Sequence, residues 1–368
     1  MSSEERGKEF KQLVEEAYEL IVEKKVRRED LEKEKIFERL VQHRTLDATN
    51  WVPIIIFEGR ITAKSRVHMG DEAIEQWNLI KKCTVSVKGR SVEVPILSEN
   101  AIRGILGHVL REFSWKAELV GRNELGEIEC GFYKDRGRYE CGSCLKCGLL
   151  GFMNVENNLN SPHKLAIRTF LPVEGGRVTA RMIKERLNAI EPITGTSVRR
   201  DVVVKRLAWS EIEEVLKAET SEEKREEVEE KVEKIKEKVE RRVGAMPSLF
   251  TMEFIAPGST FPIQIVMRDV APAEVGTALL GLERTLSIVG LGRHKQGVFS
   301  TWNEEPNLWR LLYYRDLHDI KPEEYRGEEL IEILRKLNEI AYYAIENKLF
   351  TKYQLPEWLR VKLPEWLR

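Results

Sequence analysis

A chain of 368 residues with 42% hydrophobic residues can bury a sizeable core and hold more than one domain, which excludes a disordered chain. It carries 60 Lys+Arg against 61 Asp+Glu, a formal net charge of −1, which argues against a nucleic-acid binder until the charge is mapped along the chain. The longest apolar run, Ile54-Ile55-Ile56-Phe57, is a strand's worth and not a membrane span, and the acidic opening segment has no signal-peptide core. The expectation is a soluble, cytoplasmic protein with no membrane partner.

Residues 1–48 read as a charged helical leader, with Leu13, Val14, Tyr18, Ile21 and Val22 at helical spacing. Residues 49–116 open the core. Val52–Phe57 is a β-type run, Cys83/Val85/Val87 and Val92/Val94 alternate about a Lys88-Gly89-Arg90 turn, and Ser98 predicts an N-cap. The helix it starts has Ile102, Leu106, Val109, Leu110 and Phe113 on its buried face.

Residues 117–163 contain four of the five cysteines: Cys130, Cys141, Cys144 and Cys147. Four thiols this close suit one tetrahedral metal, and a closed four-sulfur site is structural because no position is left for substrate. Zinc is the expected ion, with an iron–sulfur cluster and free thiols as the alternatives. Cys83, in an alternating strand, reads as a small buried hydrophobe.

Residues 164–246 hold a basic insertion and a charged helical hairpin. Within 164–206 ten basic residues face four acidic ones, so the stretch is +6; 210–243 has 13 acids and 9 bases and is −4. Residues 247–305 complete the core. Phe250/Met252/Phe254 and Phe261/Ile263/Ile265/Met267 alternate about a Pro257-Gly258 turn, which predicts a hairpin. A helix after Pro272 presents Val275, Leu279, Leu282, Leu286 and Val289. A glycine-rich loop, Gly290–Gly297, adds Arg293, His294 and Lys295 as donors, and Val298–Trp302 reads as the last strand. Residues 306–368 form a helical region that ends in a duplicated Leu-Pro-Glu-Trp-Leu-Arg, for which no function is read.

The order strand, helix, strand, strand, helix, strand, with its second strand near Ala166–Leu171, predicts an α+β fold. Its centre is a modified RRM/ferredoxin-like βαββαβ core with large inserted subdomains, one of them zinc-binding. The chain contains no P-loop, no H-E-x-x-H and no G-x-S-x-G, so a binding protein is expected and not an enzyme.

Three stretches together resemble the CRISPR-associated RAMP superfamily (repeat-associated mysterious proteins). Arg66-Val-His68-Met-Gly70 is similar to its histidine/glycine motif after the first strand. Val94–Gly107, with Arg103-Gly104 in place of Lys-Gly, is similar to its helix-start motif, although Ser98-Glu99-Asn100 departs from the family's Gly-Ser-Ser. Gly290–Gly297 is similar to its C-terminal glycine-rich loop. The step Cys141-Gly-Ser-Cys144-Leu-Lys-Cys147-Gly-Leu-Leu-Gly-Phe152 looks like the backbone (large repeating) subunit of the type I-D interference complex.

The resemblance implies a non-catalytic subunit that stacks in several copies along one CRISPR RNA and presents the spacer to target nucleic acid, beside other subunits of the complex. It implies RNA contacts at Arg66, His68, Arg103, Arg199, Arg200, Lys205, Arg206, Arg293, His294 and Lys295. The alternatives are a type III-like, metal-dependent ribonuclease using Asp71 and Glu72, and a zinc-stapled scaffold with no RNA role.

Overall fold

Alternation along the core strands decides the architecture, because each strand buries every second residue against helices. In this computed structural model the described residues are 9–34, 36–43, 53–69, 77–78, 80–87, 90–122, 128, 130, 132–134, 137–154, 159–161, 163–172, 178–179, 234, 251–252, 254–292, 297–315 and 321–354. The chain divides into two compact units. One comprises residues 1–69, 82–177 and 255–368, and the other residues 70–81 and 178–254.

The first unit begins with helices α1 (Phe10–Ala17), α2 (Arg28–Lys33) and α3 (Phe37–Leu40). Strand β1 (Ile54–Thr62) follows, then the hairpin β2 (Lys82–Val87) and β3 (Arg90–Pro95), and helix α4 (Glu99–Lys116). The cysteine-rich insertion holds β4 (Phe132–Lys134), β5 (Gly137–Tyr139), α5 (Leu145–Leu150), β6 (Phe152–Asn154) and β7 (Leu159–Ser161). Then come β8 (Leu165–Thr169), β9 (Thr260–Arg268), α6 (Pro272–Arg284), β10 (Arg310–Tyr314), β11 (Glu323–Tyr325) and α7 (Gly327–Glu346).

Five strands form one antiparallel sheet in the order β11-β10-β1-β9-β8. Taking β1, β8, β9 and β10 as first to fourth, the spatial order is fourth-first-third-second, with α4 after the first and α6 after the third. That is the split βαβ arrangement of a ferredoxin-like core, as expected from the sequence. The register pairs Ile55 with Met267 and Phe57 with Ile265. Ile55, Phe57 and Ile61 therefore share the helix-side face with Phe261, Ile263, Ile265, Met267, Leu165, Ile167, Leu311 and Tyr313, all buried.

Ser98 caps α4 as predicted, its side chain accepting from the Ala101 amide at 3.4 Å. All five predicted face residues of α4 are buried. Helix α6 differs from an amphipathic surface helix. Its first eight residues are buried all round, because α7 covers the face that a two-layer fold would leave in water. Helix α1 packs on α7 in turn. The buried stripe of the leader is Phe10, Val14, Ala17 and Ile21, while Leu13, Tyr18 and Val22 are only half-buried.

Two sequence expectations are corrected. Val298–Trp302 is not the fourth strand. Phe299 makes a single bridge to Ala63 and donates its amide to Leu286 O at 3.0 Å, so this segment plugs the end of the core. Trp302 and Trp309 are buried there against Phe57, at ring-centroid distances of 5.1 and 4.7 Å. The fourth strand is β10, whose Leu311 and Tyr313 face the helices. Nor do the strands flanking Pro257-Gly258 pair with each other. The turn forms, but β9 has β1 on one side and β8 on the other, so both of its edges are taken. The hairpin β2–β3 does form, with Cys83 opposite Val94 and half-buried. In the second unit Trp77–Asn78 pairs in parallel with Thr251–Met252. The predicted charged hairpin at 210–243 lies outside the described residues except Lys234. No helix among the described residues is long and apolar enough to cross a membrane.

Candidate metal centre and glycine-loop junction

The turn before α5 and its first residues carry three of the thiols, because Cys141, Cys144 and Cys147 recur every third residue around a tight bend. Cys130 enters from the preceding loop. Its Sγ lies 3.5 Å from those of Cys147 and Cys144, and Cys141 Sγ lies 3.9 Å from that of Cys147. All four sulfurs fall within 4.8 Å of one another. A tetrahedral ion with metal–sulfur bonds of about 2.3 Å sets its sulfurs about 3.8 Å apart, so the cage fits one ion. A disulfide needs about 2.05 Å, and all four thiols are free.

The electrostatics point the same way. Hydrogen bonds from Cys130, Cys144 and Cys147 hold the Cys141 thiol well below the usual range. Its bond to Cys130 pushes Cys144 up, and burial pushes Cys147 up. Without a cation, one thiolate is favoured and further negative charge in the same buried space is opposed. A divalent cation removes that opposition. The four cysteines can therefore hold a metal ion.

The surrounding contacts orient the cage. Arg111 Nη1 donates to Cys130 O at 2.8 Å, and Arg103 donates to Leu150 O at the end of α5. Lys146 and Glu140 form a buried ion pair next to the thiols. The Tyr353 amide donates to Ser143 O at 2.8 Å, and its ring lies directly on Gly148, where any Cβ would penetrate the ring.

Tyr353 also leads into a buried charge network that the sequence did not reveal. Its hydroxyl donates to Glu274 Oε1 at 2.6 Å. Lys164 Nζ lies 3.3 Å from Glu274 and 3.9 Å from Asp269, and His43 Nδ1 lies 2.6 Å from Asp269. Glu274 also accepts the His43 and Ala271 amides at 3.0 and 2.9 Å. Glu274 is 0% exposed and Lys164 is 7% exposed. Lys164, which contributes to the basic stretch in the sequence, is thus committed to the core. Asp269, Ala271 and Glu274 are close in sequence, but His43, Lys164 and Tyr353 come from distant parts of the chain, so no local pattern marks the network.

A second junction joins two of the resemblance motifs. Past β1, Lys64 donates its amide to Val298 O at 2.8 Å, and Val298 donates to Ser65 Oγ at 2.8 Å. Leu291 and Gly297 exchange backbone bonds of 2.7 and 3.0 Å, which close the glycine-rich loop. Gly292 has φ +91° and lies against the His68 carbonyl, where no side chain fits. The loop's glycine freedom therefore serves a close approach to residues 67–68 of the same chain. Arg66 is exposed there, whereas His68 is 6% exposed. Arg103 is half-buried; with Arg268 and burial it lowers the pKa of His163. Burial is the largest of these effects. Arg199, Arg200, Lys205, Arg206, Arg293, His294 and Lys295, and the alternative Asp71 and Glu72, lie outside the described residues.

No family model matches the chain, and no curated protein matches it. Among solved structures it is similar to a chain of the Csm3-Csm4 subcomplex of a type III-A CRISPR-Cas interference complex. That match has 13% identity, covers 79% of this chain and 97% of that one, and has a TM-score of 0.33. It is also similar to a chain of a type IV-B CRISPR complex (13% identity, 74% and 95% covered, TM-score 0.34). A third is Thermofilum pendens Csc2 (12% identity, 82% and 78% covered, TM-score 0.35). At such scores the strand order, and not the likeness, defines the fold.

Proposed function

We propose that this chain is a CRISPR RNA-binding backbone subunit of a type I-D interference complex. It assembles in several copies along the guide, in the cytoplasm, and presents the spacer to target nucleic acid beside other subunits. The observation that carries this reading is the junction of Arg66–Met69 with the glycine-rich loop. Two motifs more than 200 residues apart in sequence meet at one end of a ferredoxin-like core, where a basic loop can meet a phosphate backbone. Arg66 at this junction, together with Arg293, His294 and Lys295 of the loop sequence, is assigned to RNA binding. Arg103, Arg199, Arg200, Lys205 and Arg206 are proposed as further RNA contacts, whereas His68 is 6% exposed and its carbonyl packs against Gly292.

The subunit does not cut RNA. Guide-loaded complex incubated with target RNA and Mg²⁺ returns the target intact; regular cleavage that disappears in Asp71→Ala would establish the ribonuclease reading instead.

The four-cysteine centre holds zinc, which supplies structure and no chemistry. A single ion suits the compact cage, whereas an iron–sulfur cluster spreads its thiolates over several irons. Metal analysis of the full chain should find one zinc and no visible thiolate–iron absorption. Charge reversal of Arg293 and Lys295 tests the RNA interface: a large loss of RNA affinity is expected, and unchanged affinity would assign the chain to a scaffold role.

A further inference from the structure

The sheet face opposite α4 and α6 carries a polar row that the glycine-loop junction does not use. Alternation places Arg168 of β8, Gln264 of β9, Glu58 of β1 and Arg310 of β10 on this face, and the register sets them side by side. Arg168 Nη1 donates to Gln264 Oε1 at 3.3 Å, and Gln264 Nε2 donates to Glu58 Oε2 at 2.7 Å. Arg310 Nε donates to Glu58 Oε1 at 2.6 Å, and Arg310 Nη1 donates to Glu324 Oε1 at 3.4 Å. Both oxygens of Glu58 are therefore engaged by donors. Arg326 pairs with Glu324 at the end of the row.

Beside the row lies an open cleft of about 410 Å³, lined by residues that include Arg60, Phe170, Pro262, Leu308 and Arg326. Phe170 donates its amide to Pro262 O at 3.1 Å, which extends the β8–β9 pairing by one step. Alternation then puts its ring on the same face as Arg168. The ring is 48% exposed and Leu308 is 43% exposed. Arg60, Arg310 and Arg326 line the cleft against the single acid Glu58, so its lining is positive.

An accessible aromatic ring beside guanidinium groups suits an unpaired nucleotide, whose base stacks on the ring while its phosphate meets the cations. An acidic peptide would satisfy the arginines but make no use of a bare ring. We propose that this cleft binds a short run of unpaired nucleotides, with a base on Phe170 and phosphates at Arg60 and Arg326. It is a nucleic-acid contact separate from the glycine-rich loop, and it rests on the proposed function only in taking nucleic acid as the ligand.

The test uses the full chain and a fluorescein-labelled oligouridine, read by anisotropy, with folding of every variant checked by circular dichroism. Phe170→Ala should weaken binding about five-fold or more, while Phe170→Trp keeps it. Arg60→Glu with Arg326→Glu should weaken it further and flatten its salt dependence. Ultraviolet cross-links should map to the peptide that contains Phe170. Wild-type affinity in both variant sets, with no cross-link at that peptide, overturns the cleft and leaves RNA binding at the loop intact. If the variants bind RNA normally but fail to assemble with protein subunits, the cleft belongs to a protein partner and the proposal falls. If the wild-type chain binds no RNA at all, the proposed function fails and the cleft proposal falls with it.

Discussion

Cys144 offers a direct test of the four-cysteine cage, because it is buried and its sulfur lies 3.5 Å from that of Cys130. Cys144→Ser should lose the ion under native mass spectrometry; a full equivalent of zinc in the variant would remove the four-cysteine site. Gly148 reports on the packing that holds the centre. Its missing Cβ is the space the Tyr353 ring occupies, so Gly148→Ala should cost about 1–3 kcal/mol by overpacking, measured by denaturant unfolding. The cysteines were legible from spacing alone, since ligands on one turn sit close in sequence. Tyr353 was not, because it reaches the centre from the far end of the chain and no local pattern marks it.

Helix α1 shows how elements are tied together across the chain. Its first amides lack intrahelical partners, and β11 supplies them: Phe10 N donates to Glu323 Oε2 at 3.0 Å and Lys11 N to Tyr325 Oη at 3.3 Å. Burial, and then the neighbouring Glu323 carboxylate, push the Tyr325 hydroxyl pKa above its ordinary value. The folded protein keeps that proton where the unfolded chain, with a phenol pKa of about 10, releases it. The stability contributed by Tyr325 is complete below about pH 10 and is lost as the pH rises above it. The wild-type melting temperature should therefore fall more steeply above that pH than that of Tyr325→Phe; parallel decline would contradict the account.

The buried network makes a second prediction at this scale. Lys164→Met leaves Glu274 and Asp269 without their cation and should cost about 3–5 kcal/mol in denaturant unfolding. An effect below about 1 kcal/mol would mean that the pair is not desolvated. The strands β1 and β9 and the helix α4 were legible because their alternation or periodicity is local. The fourth strand was misplaced because Val298–Trp302 is as apolar as a strand. Its Phe299 and Trp302 fill the core from a loop, while β10 is fixed by pairing with β1, some 250 residues away.

Over the whole molecule, the net charge of −1 is a cancellation between an acidic leader and coil and a basic stretch with a basic loop. The structure sharpens that picture in the first unit. Lys164 drops out of the basic surface because it is paired with Glu274 inside the core, while Arg168 and Arg310 stand on the open sheet face in one row with Glu58. The ferredoxin-like order was legible because strand and helix signals alternate in the right sequence. The meeting of residues 67–68 with Gly292 and Gly297 was not, because it depends on tertiary closure. Filter binding of single-stranded RNA by the full chain across a range of salt tests the central claim. Several phosphate contacts predict affinity that falls steeply and linearly in a log–log plot, with a slope of about −0.7 per contact. No binding, or a flat salt dependence, would contradict it.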